Sequence, residues 1–351
     1  MIITNKFNLP QVLVKAAEGR VYDPGQSDIT VTSLKDPGRI TALKKQLNGH
    51  LSEDVADNAY SLLGSAVHAM LEWADDGARK EERNYIDVLG WKVGGQFDHF
   101  LDGTLTDFKV TSAYNVKGHL SGEKDDWPTQ LNVLAAILRE NGEKVEKLRV
   151  IAVLRDWSKP EAQREAKFAK ENNTPIYYPQ HQIQVLEFPI WGHDATLNWI
   201  NERVRYHQEA CANIPACSKE DRWETEEKWA VMKGQNKRAT KLHNSQAEAE
   251  EHAAREDALW VQHRPGEPKR CDLYCPVKAY CSQRTSELID PDLMWDYAMS
   301  AVEGITCPDV LDGWVKSSVF LSRLPDDYKS RLWDTIKARK KELGNEQPAA
   351  A

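Results

Sequence analysis

Several things are scarce in this chain of 351 residues. Long apolar runs are missing: stretches such as 133–138 and 150–154 are far too short to cross a bilayer, so no membrane contact is expected. The opening Met1-Ile2-Ile3-Thr4-Asn5-Lys6 has no basic region followed by an apolar core, so no export signal is expected, and the expected compartment is the cytoplasm. No internal repeat is present. Positive charge is in deficit, with 46 Lys and Arg against 54 Asp and Glu and a net charge of −8. That argues mildly against a nucleic-acid partner, although a local basic groove works within an acidic shell. Cysteine is sparse and confined to the second half: there are six, none before Cys211. In a cytoplasmic chain they do not read as a disulfide set.

What is present suits a soluble α/β protein of one large domain with appendages, or of two domains. Residues 1–51 read as an irregular lead-in punctuated by Pro10, Pro24 and Pro37, with a short extended piece at 30–32. Residues 52–210 read as a core. Leu62, Leu63, Val67, Met70 and Leu71 recur at helical spacing within 52–81. Strands are predicted at about 86–93, 94–101 and 104–111. A helix follows from Pro128 to Asn141-Gly142, then strands over 150–154 and 182–188 and a helix over 195–206 with Asp194 as N-cap. Helix, three strands, helix, strand predicts a mixed central sheet flanked by helices. Residues 211–289 form a charged segment with a cysteine cluster, and 290–351 a helical segment ending in a polar tail. The best basic and aromatic stretch gathers Lys228, Lys233, Lys237, Arg238 and Lys241 near Trp223 and Trp229. A solvated loop or helix face explains it somewhat better than DNA contact.

The most informative stretch runs from Gly94 to Lys109. Asp102-Gly103 suits the left-handed angles of a tight hairpin turn. With that turn Leu101 faces Thr104, and the register sets Asp98 opposite Asp107, Gln96 opposite Lys109 and Phe97 opposite Phe108. Two facing carboxylates repel unless something positive lies between them, and a divalent metal is the usual answer. An ordinary half-exposed hairpin with solvated charges fits the same pattern. Upstream, Gly64, His68 and Glu72 share one helical face; downstream, Gln130 opens the next helix.

Taken in order, Gly-x3-His-x3-Glu, Gly-x-x-Asp, Asp-x-Lys and Gln resemble the RecB-like branch of the PD-(D/E)XK nuclease superfamily, including phage exonucleases. The resemblance spans roughly residues 52–190. It implies a restriction-endonuclease-like α/β core and a divalent-metal-dependent DNA exonuclease acting on linear ends or single strands. The setting it implies is recombination, repair or phage DNA processing, in a host cytoplasm if phage-encoded and with a possible recombination partner protein. It assigns Mg²⁺ or Mn²⁺ to His68, Asp98, Asp107 and the Phe108 carbonyl. Lys109 would act on the attacking water or the pentavalent phosphate, and Gln130 would position substrate or Lys109. Leu134 stands where the family often has Tyr. A non-catalytic, nucleic-acid-binding accessory protein with the same fold is the alternative.

Cys271-x3-Cys275-Pro-x4-Cys281 with Cys217 resembles the four-cysteine [4Fe–4S] set of several such nucleases, although the family's lone cysteine often precedes the core. Structural Zn²⁺ on the same thiolates is the rival. Either would staple the C-terminal region across the nuclease core. Cys211 and Cys307 read as ordinary buried thiols.

Overall fold

The structure, a computed structural model, describes residues 2–19, 23–47 and 51–345; the polar tail expected beyond 345 lies outside them. Two compact units emerge, Met1–Asp36 with Ser52–Asn213 and Pro37–Leu51 with Ile214–Ala351. In chain order the elements up to residue 212 are strand β1 (Ile2–Thr4), helix α1 (Gln11–Glu18), β2 (Ile29–Thr30), α2 (Val31–Lys35), α3 (Gly38–Gln46), β3 (Ser52–Asp54), α4 (Ala59–Trp73), β4 (Arg79–Val88), β5 (Trp91–Leu101), β6 (Thr104–Thr111), α5 (Ala113–Leu120), α6 (Asp126–Glu140), β7 (Lys147–Leu154), α7 (Lys159–Asn172), β8 (Ile183–Phe188) and α8 (His193–Ala212). All but α3 belong to the first unit. The stretch expected as an irregular lead-in is thus largely structured, and its last part, Pro37–Leu51, belongs to the second unit.

The first unit is built on a mixed six-stranded sheet. β4 runs antiparallel along the whole of β5, from Arg79–Phe100 to Val88–Trp91. β6 is antiparallel to β5 and parallel to β7, and β7 is antiparallel to β8. The turn residues Asp102 (φ 47°) and Gly103 (φ 72°) take the left-handed angles predicted for a tight hairpin. Leu101 pairs with Thr104, Phe100 with Leu105 and His99 with Thr106, the predicted register. There the paired ladder stops. Farther back, Val93 and Gly94 pair instead with β2, in parallel. Because β4 fills one edge of β5 throughout, β2 and β6 share the other, and β5 parts from β6 between residues 95 and 98.

The core lies between the sheet and α6. Leu131, Leu134, Ala135 and Leu138 pack with Phe97, Leu105, Leu148, Val150 and Leu154, all fully or nearly fully buried. Gly95 permits this closeness: a Cβ there would lie 2.4 Å from Leu134 Cδ2 and 2.8 Å from Val31 Cγ2.

Three expectations are corrected. The helical span over 52–81 is β3, a 3₁₀ turn, α4 and the first residues of β4, the Asp54 carboxylate capping the turn through Ala56 N–H. Strands at 86–93 and 94–101 are replaced by β4 and β5, with the turn at Leu89 (φ 51°) and Gly90 (φ 80°). A Leu in the left-handed region is uncommon, so the apolar run hid this turn. α8 starts earlier than predicted, with Gly192 as N-cap and Asp194 in its first turn.

In the second unit the charged segment forms a small antiparallel sheet of β9 (Lys228–Lys233), β10 (Lys241–His243) and β11 (Leu259–Arg264), in the order β10-β9-β11. Helix α9 (Gln246–Ala253) connects β10 and β11 and packs on the sheet. The remainder is largely helical: α10 (Ser282–Glu287), α11 (Pro291–Gly304), α12 (Pro308–Ser317) and α13 (Asp326–Asn345). α11 starts at Pro291 with the Asp290 carboxylate accepting from Asp292 and Leu293 N–H. Its core gathers Met294, Tyr297, Ala298, Ala301, Leu311, Phe320, Leu332 and Ile336.

Candidate active site

The gap between β5 and β6 is where the polar residues collect. Asp98 sits on β5 just beyond the last pair with β6, and its Oδ2 accepts Phe108 N–H at 2.7 Å, a side chain taking over from the missing backbone partner. Asp107 and Lys109, two apart on β6, point to one face. Lys109 Nζ lies 2.8 Å from Asp107 Oδ1, to which it donates, and 2.7 Å from Oδ2. Oδ2 is buried, with the Lys109 ammonium as its charged neighbour. Gln130, in the first turns of α6, donates from Nε2 to Asp107 Oδ1 at 3.1 Å. Lys35, at the end of α2, donates to Gln130 Oε1 at 3.2 Å and to the Asp126 carbonyl at 2.9 Å, so the Gln130 amide is oriented from both ends.

From the other side α4 brings His68. Its Nε2 donates to the Phe108 carbonyl at 3.0 Å, which leaves Nδ1 facing Glu81 Oε1 at 3.7 Å and Asp98 Oδ2 at 3.8 Å. Among the described residues, His68, Glu81 and Asp98 form the group of potential ligand atoms close enough to share a cation, all within 4.8 Å of one another. The cleft they line, with Gln96, Gly95 and Gln130, has a volume of about 300 Å³. The predicted residues are thus brought together, in a different division of labour. Asp107 is turned to Lys109 and Gln130, and the Phe108 carbonyl is engaged by His68. Glu72, on the same helix, has no contact with the group among the described residues.

Glu81 was missed in the sequence. It falls opposite Asp98 in the β4–β5 register, between the pairs Lys80–His99 and Glu82–Phe97. Its φ of 51° is left-handed inside a strand, a strained conformation held by its surroundings. Gln96 Nε2 donates to its Oε2 at 2.8 Å, and Arg83 in turn donates to Gln96 Oε1 at 2.8 Å. The run Arg79-Lys80-Glu81-Glu82-Arg83 reads as solvated charge, and only its pairing with β5 makes one of those carboxylates part of the cleft.

Burial and neighbouring charges together shift the ionisable groups of the cleft. Burial, then the neighbouring Asp107, push the Asp98 carboxyl up to about 7, despite Lys109 and His68. His68 is raised, chiefly by its contact with Glu81 and against the effect of burial. Burial disfavours the Lys109 ammonium, but Asp107 and Asp98 outweigh it and the group is raised. Lys35 is lowered by burial, which Asp126 only partly offsets. A hard divalent cation among these oxygens and one imidazole nitrogen would relieve the repulsion, and the donor set fits such an ion.

A second polar centre lies wholly within the second unit. Cys217, Cys271, Cys275 and Cys281 line one small cavity with Arg39 and Arg222. Arg39 is only 8% exposed. Its Nε donates to Cys281 Sγ at 3.0 Å, and its other nitrogens reach the Pro215 carbonyl at 3.1 Å and Ser282 Oγ at 2.8 Å. Burial pushes the Cys217 thiol up to about 12, with Asp221 adding to it, and Cys275 up to about 11. Cys271 is raised by burial in spite of Arg222 beside it. Among the described residues no three of these sulfurs lie within 4.8 Å of one another. Tetrahedral zinc, with Zn–S near 2.3 Å, would need them about 3.8 Å apart. All four cysteines belong to the second unit, so a group held there would tie the chain around Cys217 to 271–281 within that unit, not to the α/β core as expected. Cys211 is exposed and Cys307 half-buried, which corrects the reading of both as buried thiols.

No family model and no curated protein matches this chain. Among solved structures it is similar to the crystal structure of SSO0001, at 15% identity over 56% of this chain and 84% of that one, with a TM-score of 0.38, too slight a likeness to argue from.

Proposed function

We propose that the first unit is a divalent-metal-dependent deoxyribonuclease with a restriction-endonuclease-like core, acting as an exonuclease on DNA ends or single strands. One observation carries this reading: where β5 parts from β6, His68, Glu81, Asp98 and Gln130 line a single cleft, and Gln130 ties to it the buried Asp107, which is paired with Lys109. A merely solvated hairpin would not bury Asp107 against a lysine or drive Asp98 toward neutrality. Asp98 and Asp107 would hold Mg²⁺ or Mn²⁺, with His68 and Glu81 completing the set. Such an ion, when bound, would lower the pKa of a water and stabilise charge building on the phosphate. Lys109, kept protonated by both aspartates, is placed to donate to a phosphoryl oxygen or to orient the attacking water. Gln130 fixes the Asp107 carboxylate, and Lys35 fixes Gln130.

For the thiol cavity we favour a [4Fe–4S] cluster over Zn²⁺. Sulfurs spread wider than zinc requires, with guanidinium groups beside Cys281 and Cys271, suit a larger anionic group. No helix among the described residues is long and apolar enough to cross a membrane.

The test is digestion of end-labelled linear and closed circular DNA with Mg²⁺ or Mn²⁺. Metal-dependent loss of linear DNA while circles survive, abolished in Asp107→Ala and Lys109→Ala, is the expected result. Cleaved circles would make the enzyme an endonuclease. DNA binding with no cleavage under any divalent ion would establish the accessory-protein alternative.

A further inference from the structure

One feature of the first unit is unused by the reaction chemistry. Tyr60, Gly64 and His68 are spaced four apart on α4 and so form one stripe along the helix. His68 is at the cleft, and Tyr60 stands eight residues away, about 12 Å at the helical rise. The Arg155 guanidinium lies 3.9 Å from the centre of the Tyr60 ring, yet the pair is open to solvent, Tyr60 being 64% exposed. Among the described residues Arg155 has no carboxylate partner. Its backbone N–H donates to the Thr111 carbonyl at 3.0 Å, two residues beyond Lys109 on β6. From Phe108, where His68 touches the sheet, to the end of β6 is three residues, about 10 Å. The helix stripe and the strand therefore run side by side from the cleft to the Tyr60–Arg155 pair. Between them, a Cβ added to Gly64 would meet nothing within 4 Å.

We propose that this stripe is a strand-binding track: a single-stranded DNA segment leaving the scissile phosphate passes over Gly64, stacks a base on Tyr60, and places a phosphate against Arg155. The inference rests on the nuclease reading for its direction and chemistry. An exposed aromatic ring beside a cation without a carboxylate partner offers both things a single strand needs, a π-face for a base and a positive charge for the backbone. The 12 Å between His68 and Tyr60 spans a few nucleotides at the duplex rise per strand. A pair that only fastened α4 to the sheet would not need to be this exposed.

The test uses the full-length protein and a fluorescein-labelled oligo(dT), with binding read by anisotropy, beside steady-state cleavage of linear DNA with Mn²⁺. Tyr60→Ala and Arg155→Ala are expected to weaken oligo(dT) binding about tenfold, the scale of one base stack. KM should rise in parallel, with kcat within about twofold, while Tyr60→Phe behaves as wild type. Wild-type oligo(dT) binding in both alanine variants would overturn the proposal, as would a lower melting temperature as the sole change, or a loss confined to duplex DNA. Tyr60-dependent binding by a protein that cleaves nothing would sink the nuclease reading and leave the track standing. Cleavage with Tyr60-independent binding would sink the track alone.

Discussion

The two polar centres of this chain solve opposite problems. In the first unit, two carboxylates, a histidine and a glutamine line an open cleft between two diverging strands, and burial together with the nearby Asp107 drives Asp98 toward neutrality. In the second, four thiols line a small cavity guarded by arginines, and burial pushes Cys217, Cys271 and Cys275 up. Hard oxygen donors in an open site suit an exchangeable cation that works on a substrate, whereas soft, enclosed thiolates suit a permanent structural group. On the proposed reading, donor chemistry and access, more than the number of ligands, separate the two centres.

The sharpest way to break this contrast is at the lysine. Lys109→Ala should lower DNA cleavage by about a thousandfold or more, as loss of a preorganised charge does, and should leave the visible spectrum of the second unit unchanged; cleavage assays and absorbance check both. Cys275→Ala should do the reverse. It should abolish visible absorbance and lower stability by about 2 kcal/mol or more, comparable to losing a structural cross-link, measured by denaturant unfolding. A colourless wild type binding one zinc would leave the structural role and replace the cluster.

A smaller effect is expected at Glu81. Glu81→Gln keeps the hydrogen bond from Gln96 but removes the charge, and should weaken Mn²⁺ binding by about ten- to a hundredfold, read by calorimetry. The pH dependence sharpens the same point. Asp98 is raised above its unfolded value of 3.8, so the folded state holds its proton more tightly. Without metal, stability from this group is present below pH 4 and is lost as pH rises toward 7. Mn²⁺ affinity should run the other way, climbing between pH 6 and 8 as Asp98 and His68 give up protons. Asp98→Asn should flatten the loss of metal-free stability, seen as a weaker pH dependence of the melting temperature. The smallest change is in packing: Gly95→Ala should cost about 1–3 kcal/mol, because its Cβ meets Leu134 and Val31.

Much of the cleft was legible because it is local in sequence. The hairpin turn, the His99–Thr106 register and the spacing of Asp107 and Lys109 follow from alternation and one Asp-Gly dipeptide. Glu81 and Lys35 were not legible. Glu81 enters through strand pairing across a turn disguised by Leu89, and Lys35 through a two-residue strand that leads a short helix to α6. The charged stretch 219–255 shows no strong alternation, and only long-range pairing of β9 with β11 makes it a sheet.

The most direct test of the oxygen-lined cleft is calorimetric titration of Mn²⁺ into the wild type and Asp98→Ala at pH 8. Binding by the wild type that weakens at least a hundredfold in a folded Asp98→Ala protein is the predicted result. Equal affinity in the two proteins would contradict it, and would place any metal elsewhere.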